Sequence, residues 1–418
     1  MATETPKLRI AIIGSGLAGL AAARVLRSHH TVTVYERGTA STATGGQGTI
    51  ATPNAVKILE PLGFDRARVR SVRCSGYRTF DKAGNVIGDR PLDLKQRYGA
   101  DWYMHLRADY RDELLRLATA PKEEVAGVGD AGEPVRVVFE TAVVDIDPEK
   151  GTFELSDGSR GEADVTIVAD GIHSHLRHRI VGDRSHRAQL TGMSVFRFAM
   201  SRSEAAQALG NDEQLPEYFD PARGEGRFGL IDACDGSGRV VAVYPCRDYE
   251  YINVTCAFRT RYSKDDTVAS WWAEGDRDEM ADIFHDFPEH VVKLLRAAPS
   301  VNLWELQDLE PLPTWTRGRA CLMGDAAHAM TPLQGQGANM AVEDADALQL
   351  LNHVSSAADV PAVLRRWQEV RKPRCTRVLE GTRQVGRAQT PEERWENMDF
   401  NYGYGGVWEA VKELKAEE

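Results

Sequence analysis

The 418-residue chain contains no run of about 18 apolar residues free of glycine or charge, so no membrane-spanning helix is expected and no membrane partner. Its six cysteines (Cys74, Cys234, Cys246, Cys256, Cys321 and Cys375) form no CxxC pair and show no His/Cys ligand spacing. That pattern excludes a zinc module and a disulfide framework. No metal is expected, and the thiols read as reduced, in a cytoplasmic protein. Positive charge is in the minority, 51 Lys and Arg against 62 Asp and Glu. The net charge is −11 with both signs interleaved, which argues against nucleic acid as a partner. An anionic ligand would have to be drawn by local arginines, because the global field repels it. No internal repeat is visible. With 42% hydrophobic and 27% charged residues, what remains is an ordinary globular protein of two or three domains.

What is present begins at residues 8–13 (LRIAII), a short strand-like run. Gly14-x-Gly16-x-x-Gly19 follows at once, then an Ala/Leu-rich helix, then a second strand (TVTVY) ending at Glu36. This is the strand–turn–helix–strand setting that a dinucleotide fingerprint needs. Gly14 allows the tight turn, Gly16 lets the backbone approach a pyrophosphate, and Gly19 lets the helix pack on the strand. The helix start offers free N–H groups and a partial positive charge. Glu36 is placed for ribose hydroxyls and disfavours a 2′-phosphate, so FAD or NAD is expected there in preference to NADP. The competing secretory signal, with Lys7 and Arg9 ahead of an apolar stretch, is opposed by the three glycines and the following strand.

The fold class expected is α/β: a Rossmann-like FAD-binding domain, an inserted and mostly antiparallel β-sheet substrate domain, and a C-terminal helical segment. Residues 1–73, 100–189 and 299–360 are assigned to the FAD-binding part. Residues 74–99 are assigned to an excursion towards the substrate domain, 190–298 to the substrate domain, and 361–418 to a C-terminal helix with an aromatic tail. Residues 135–140, 142–146 and 152–155 read as meandering strands, 276–297 and 337–352 as helices, and 361–387 as a basic helix whose charges form a solvated face. The tail WENMDFNYGYGGVW (395–408) is expected on a surface or a subunit interface, in a monomer or homodimer.

Three hundred residues after the fingerprint comes Gly324-Asp325-Ala326-Ala327-His328, then Pro332 and Gly335-Gln336-Gly337. Together with Ala169-Asp170-Gly171-Ile172-His173-Ser174 and Arg177, these motifs resemble the single-component FAD-dependent aromatic hydroxylases (class A flavoprotein monooxygenases). The resemblance runs from Ile10 to about Trp367. It is nearest to the salicylate 1-monooxygenase and 6-hydroxynicotinate 3-monooxygenase types, through Gly46-Gln47-Gly48, Pro53-Asn54-Ala55, Phe196-Arg197 and the Gly/Tyr/Trp tail. It implies that Asp325 binds a ribityl hydroxyl, that Arg107 lies beside the ribityl–phosphate region, and that Asp170-Gly171 lies near the pyrophosphate and influences NAD(P)H access. The residues expected against FAD are Gly14, Ser15, Gly16, Leu17, Ala18, Gly19, Glu36, Arg37, Gly48, Arg107, Val143, Asp170, Gly171, Gly324, Asp325, Pro332, Gly335, Gln336, Gly337, Ala338 and Asn339. Two departures stand out. Gln47 replaces a small apolar residue, and Ile50 occupies a position that carries an active-site histidine in the nicotinate type, so that base is absent here.

The implied chemistry is oxygen insertion. Reduced flavin and O2 give a C4a-hydroperoxide that donates OH to an electron-rich ring, and the protein positions and shields it. FAD is expected tightly but noncovalently bound. NADH or NADPH is expected to bind transiently, since only one fingerprint is present. Gly335-Gln336-Gly337 can offer N–H groups and a helix dipole to the flavin's pyrimidine edge. Pro332 can supply a rigid wall. Arg197, inside the apolar strand SVFRFAM, is the candidate to hold a substrate carboxylate or phenolate; otherwise it points to solvent at an edge. Tyr244 either hydrogen-bonds the substrate hydroxyl or is a core residue. His328 is read as structural, with a catalytic role as the alternative, and His173 and His175 as surface or pyrophosphate-side residues. The substrate expected is a phenolic or amino-aromatic acid, with decarboxylation where the carboxylate sits on the attacked carbon. Three other functions remain open. One is a hydroxylase or epoxidase of a secondary metabolite. Another, from a different class, is a non-catalytic flavin-fold binding protein, which would not need Asp325, Pro332 and the glycine turn. The third, a flavin halogenase, is opposed by the absence of a WxWxIP motif.

Overall fold

A computed structural model describes residues 7–40, 47–125, 131–210, 215–260, 274–385 and 390–417. Thr44, Gly45 and Gly46 of the glycine-rich loop lie outside the described residues. The central sheet has six strands in the order Thr316–Arg317, Ala320–Leu322, Val165–Val168, Arg9–Ile13, Thr31–Tyr35 and Arg136–Val138. All neighbours are parallel except the first pair. Its strands are near-continuous apolar runs, as a sheet covered on both faces requires. The fingerprint helix Leu17–Leu26 and the helix Gly337–Ala347 pack on it, in one core with the strands.

The second large layer is a seven-stranded sheet ordered Asn302–Asp308, Gln189–Ser201, Tyr251–Arg259, Val240–Cys246, Arg227–Asp232, Gly76–Asp81 and Val86–Pro91. It is antiparallel throughout except where Arg227–Asp232 runs parallel to Gly76–Asp81. Two strands come from residues 74–99. The strand Asn302–Asp308 also belongs to it, although it lies beyond the 190–298 segment expected for this layer. The strands alternate. Phe196, Phe198, Val241, Val243, Ile252 and Val254 point to one face and bury it against the helices Arg202–Leu209, Arg277–Ile283 and Glu289–Arg296. Arg197, Ala199, Ala242 and Thr255 point to the other face and are only partly buried. Period-2 side-chain alternation makes this division.

Several local expectations are corrected. The strand Arg136–Val138 is an edge of the central sheet, and the separate meander is Val143–Asp147, Thr152–Leu155 and Arg160–Glu162. Residues 276–297 form two helices, broken ahead of Pro288. The helix from residue 337 ends at Ala347 and continues as a 3-10 segment, Leu348–His353. The tail folds into helices Pro391–Tyr402 and Val407–Glu417, and it docks on the protein's own core. Tyr402, Tyr404 and Val407 are buried, because their apolar area finds partners in the same chain.

Candidate active site

The fingerprint geometry explains each glycine separately. Gly14 has φ +105°, and a Cβ there would lie 2.5 Å from the Ala169 carbonyl oxygen. A Cβ on Gly19 would lie 2.0 Å from the Gly14 carbonyl oxygen. These two serve the packing of strand and helix. Gly16, the N-cap of the helix, is different: its Cβ would meet nothing within 4 Å. Only there does the missing side chain leave backbone open to a ligand. Leu17 is buried beneath it and Ala18 half-buried. Glu36 accepts from the Ser15 N–H and hydroxyl, both at 2.8 Å, and from the Gly38 N–H at 2.7 Å. Burial alone would raise its pKa, and these donors more than offset that and lower it. Ser15 is thus committed to fixing the acid. Arg37 is exposed, and Val143 is half-buried two residues beyond Thr141, whose N–H donates to the Glu36 carbonyl.

The distant motif closes on this one. Gly324 (φ +60°) lies against Ala18, where a Cβ would come within 2.8 Å of the alanine methyl. Asp325 opens the short helix Asp325–His328. Arg107, at the start of the helix Arg107–Thr119, is held low in pKa by burial, while the charge of Asp325 acts in the opposite sense. Asp170 is largely enclosed. Its Oδ2 accepts from the His175 N–H at 3.1 Å, its Oδ1 has no partner among the described residues, and burial raises its pKa. Beside it, Gly171 (φ +84°) has open space where a Cβ would be. Open backbone at Gly16 and Gly171, an orphaned carboxylate oxygen at Asp170, and Glu36 aligned beside the helix start together fit a dinucleotide lying across these loops.

The turn from Pro332 to Asn339 packs on the strand Gly48–Ala51. Gly335 (φ +64°) sits on Ile50, where a Cβ would come within 2.3 Å of Cδ1. Asn339 donates to the Gly335 carbonyl at 2.7 Å and accepts from the Thr52 N–H at 3.0 Å. Gln336 bonds Thr52 and Asn54, each at 3.2 Å. The side chains of Gln336 and Asn339 therefore hold the turn in place. The groups left to a ligand are the leading backbone N–H groups of the helix, at Gly337 and Ala338. Pro332 is exposed at the start of this turn.

Past Gly48 lies the open face of the seven-stranded sheet. Arg197 is on its second strand, so it is not an edge residue. It is partly buried with its Nε enclosed, and it donates from Nη2 to the Gly48 carbonyl at 2.7 Å. Its guanidinium stands over the Trp304 ring, 5.1 Å from the centroid. Burial lowers its pKa, and the Tyr244 hydroxyl beside it works in the other direction. Among the described residues it has no carboxylate partner. Tyr244 is buried and stacked on Phe228 at 4.9 Å, and burial raises its pKa. Strand register places Leu230, Ala242, Thr255, Arg197 and Asn302 in one row across five strands. Neighbours in such a row stand roughly 5 Å apart. Thr255 and Asn253 were not anticipated; a polar residue in EYINVTCAF was the available signal.

His328 lies elsewhere. It is buried, 2.6 Å from Asp344 Oδ2 and stacked near Trp315 at 5.1 Å. Asp344 also accepts from Arg371 Nε at 2.9 Å, and Arg371 Nη1 donates to Glu343 at 2.7 Å. His173 and His175 are both exposed. The expected solvated face of residues 361–387 is therefore wrong at Arg371, which is fully buried on the helix Val360–Arg383. His328, Asp344 and Cys375 come close enough to be compared with a metal site. With Arg371 already on the aspartate, a dication there would be repelled.

Motifs from both ends of the chain meet at these open loops, and a second sheet presents a cation beyond them, an arrangement that fits a flavin-dependent monooxygenase. The chain matches the FAD binding domain family over residues 7–382, and it belongs to that family. It is 33% identical over 391 residues to 3-amino-4-hydroxybenzoate 2-monooxygenase of Streptomyces platensis, covering 92% of this chain and 89% of the relative. It is 30% identical to hispidin-3-hydroxylase of Neonothopanus nambi, covering 90% and 87%. Among solved structures it resembles a salicylate hydroxylase substrate complex, with a TM-score of 0.72, 26% identity and 97% of each chain covered. The protein is an FAD-dependent aromatic monooxygenase. Among the described residues, no helix is long and apolar enough to cross a membrane.

Proposed function

We propose that the protein hydroxylates a small aromatic acid activated by a hydroxyl or amino group, consuming O2 and NADH or NADPH. One observation carries this reading: Arg197 is a partly buried cation that bonds the neutral Gly48 carbonyl, lies beside the Tyr244 hydroxyl and has no carboxylate partner among the described residues. An enclosed charge without a counter-charge is costly. A carboxylate or phenolate of the substrate supplies the missing partner. Ala242 and Leu230, next along the row, give the ring an apolar floor, and Thr255 adds a hydroxyl between floor and cation. Tyr244 keeps its proton at neutral pH, since burial raises its pKa, and can donate to a substrate oxygen.

FAD, when bound, supplies a ring that takes a hydride from the nicotinamide and passes electrons to O2. The chain's part is placement. Gly16 and the helix start behind it take the pyrophosphate, Glu36 the ribose, Asp325 with Arg107 the ribityl–phosphate stretch, and residues 335–339 the pyrimidine edge. Pro332 lines the reacting side. The nicotinamide donor visits a groove without a fingerprint of its own, because the chain has one. Where the carboxylate is on the attacked carbon, the carbon–carbon bond electrons return to the ring, CO2 leaves, and aromaticity is restored.

The test is a panel of hydroxybenzoates, hydroxynicotinates and anilines scored by stimulated NADH oxidation, with product and CO2 measured. Coupled turnover is expected only with anionic rings carrying an activating group. Equal turnover with neutral rings would remove the role given to Arg197.

A further inference from the structure

Gly48 has both of its backbone polar groups held by side chains of the seven-stranded sheet. Its N–H donates to Asn253 Oδ1 at 2.6 Å, and its carbonyl accepts from Arg197 Nη2 at 2.7 Å. The residue is keyed into its slot: a Cβ would lie 2.5 Å from the Tyr244 hydroxyl and 2.6 Å from Asn253 Cβ. On its other side the strand is fixed too, since Gly48 pairs with Leu106 and the Arg107 N–H donates to the Gln47 carbonyl at 2.7 Å. Asn253 is fully buried in a strand of Ile, Val and Cys. Burying an amide costs free energy that an apolar residue would avoid, so the hydrogen bond to Gly48 has to offset it.

From this geometry we infer that Asn253 is a positioning residue for substrate binding: by fixing the Gly48 N–H, it fixes the direction of the Gly48 carbonyl and hence the orientation of the Arg197 guanidinium. Only φ and ψ of Gly48 lie between the two groups, and the pairing of its strand with Leu106 and the Arg107 N–H limits both, so with the N–H anchored the carbonyl keeps its direction. A guanidinium is a rigid fork of five donors. With Nη2 held on Gly48, the remaining donors are presented in one orientation. A fork aligned in advance loses less freedom when an anion binds. The inference rests on the reading of Arg197 as the anion-binding residue.

The test uses FAD-loaded protein, with salicylate and its uncharged analogue salicylamide as probes, and follows the flavin spectrum to obtain dissociation constants. The wild type is expected to prefer salicylate. In Asn253→Leu that preference should shrink by about tenfold, the loss of one charge-assisted hydrogen bond. Salicylamide binding and FAD retention should hold, with a modest fall in Tm because the Gly48 N–H loses its acceptor. A merely structural asparagine would weaken both probes alike and leave their ratio unchanged, which overturns the inference. If the leucine variant does not fold, Asn253→Ser, too short to reach the Gly48 N–H, takes its place. Arg197→Met separates the two levels: if it keeps the preference for salicylate, the reading of Arg197 itself fails. The crystal structure of the Asn253 variant gives an answer without any probe. A guanidinium swung off the Gly48 carbonyl supports the inference, and one still 2.7 Å from it refutes the inference.

Discussion

Two enclosed arginines divide this molecule. Arg371 is fully buried and complete: Nε is on Asp344, Nη1 on Glu343, and Nη2 reaches the Met340 carbonyl at 3.3 Å. Arg374 shares Glu343, and Asn54 donates to the same carboxylate at 2.7 Å. Every charge has its opposite within the chain. Arg197 has neutral neighbours, the Gly48 carbonyl and the Tyr244 hydroxyl, an enclosed Nε and, among the described residues, no carboxylate. Where the protein finishes the arrangement itself, the arginine builds the fold. Where it stops short, the arginine awaits a ligand. The same contrast separates Gly14 and Gly19, whose missing side chains make room for the protein, from Gly16, whose missing side chain leaves open space.

The contrast breaks first at Arg371. Arg371→Met removes the buried cation that Glu343 and Asp344 share, leaving Glu343 to Arg374 and Asp344 to His328, and should cost about 3–5 kcal/mol, read as a large fall in Tm or in soluble yield. A Tm near the wild type would mean that the cluster is dispensable. At the fingerprint, Gly14→Val forces a side chain into the Ala169 carbonyl at a φ that valine rarely adopts, and colourless protein is expected. Asp325→Ala should likewise lose FAD, and full occupancy would remove Asp325 from the site.

Asp346 sharpens the comparison from within the structural region, as a buried carboxylate with no cation bonded to it among the described residues. It accepts from the Val407 N–H at 2.7 Å and from Gln349 at 2.6 Å, and burial pushes its pKa up to about 6. A carboxyl raised in the folded state favours the protonated form. Its contribution is complete below about pH 4 and is lost as pH rises through about 6. The loss is at most about 3 kcal/mol. Asp346→Asn should flatten this part of the stability–pH curve, measured by denaturant unfolding between pH 4 and 7.5. An unchanged curve would place the titration elsewhere.

The smallest effects belong to Arg197. Arg197→Ala should leave Tm and FAD content as they are and reduce turnover of an aromatic acid by roughly tenfold or more. Arg197→Lys should rescue it poorly, since a point charge does not replace a fork.

The legible parts of this protein are those written in local chemistry. The three fingerprint glycines, Glu36, and Gly324-Asp325 announce themselves because each occupies a turn or strand end that its neighbours define. Arg197 was visible as a charge out of pattern in an apolar strand. Asn253 and Thr255 were not, because their meaning depends on which residue of the neighbouring strand each faces, and register is set by tertiary pairing. Arg371 was misread for the same reason: a basic helix looks solvated until Glu343 and Asp344, 28 and 27 residues away, are brought against it. The aromatic tail looked like an interface because its partners, among them Tyr77 and Trp102, are remote in sequence.

The claim that an anion completes Arg197 is tested most directly by one ratio: kcat/KM, as product formed, for an aromatic acid substrate against its carboxamide, in the wild type and in Arg197→Met. A ratio of at least about ten in the wild type that falls close to one in the variant, with FAD content unchanged, is the predicted result. A ratio that survives the loss of the guanidinium would contradict it.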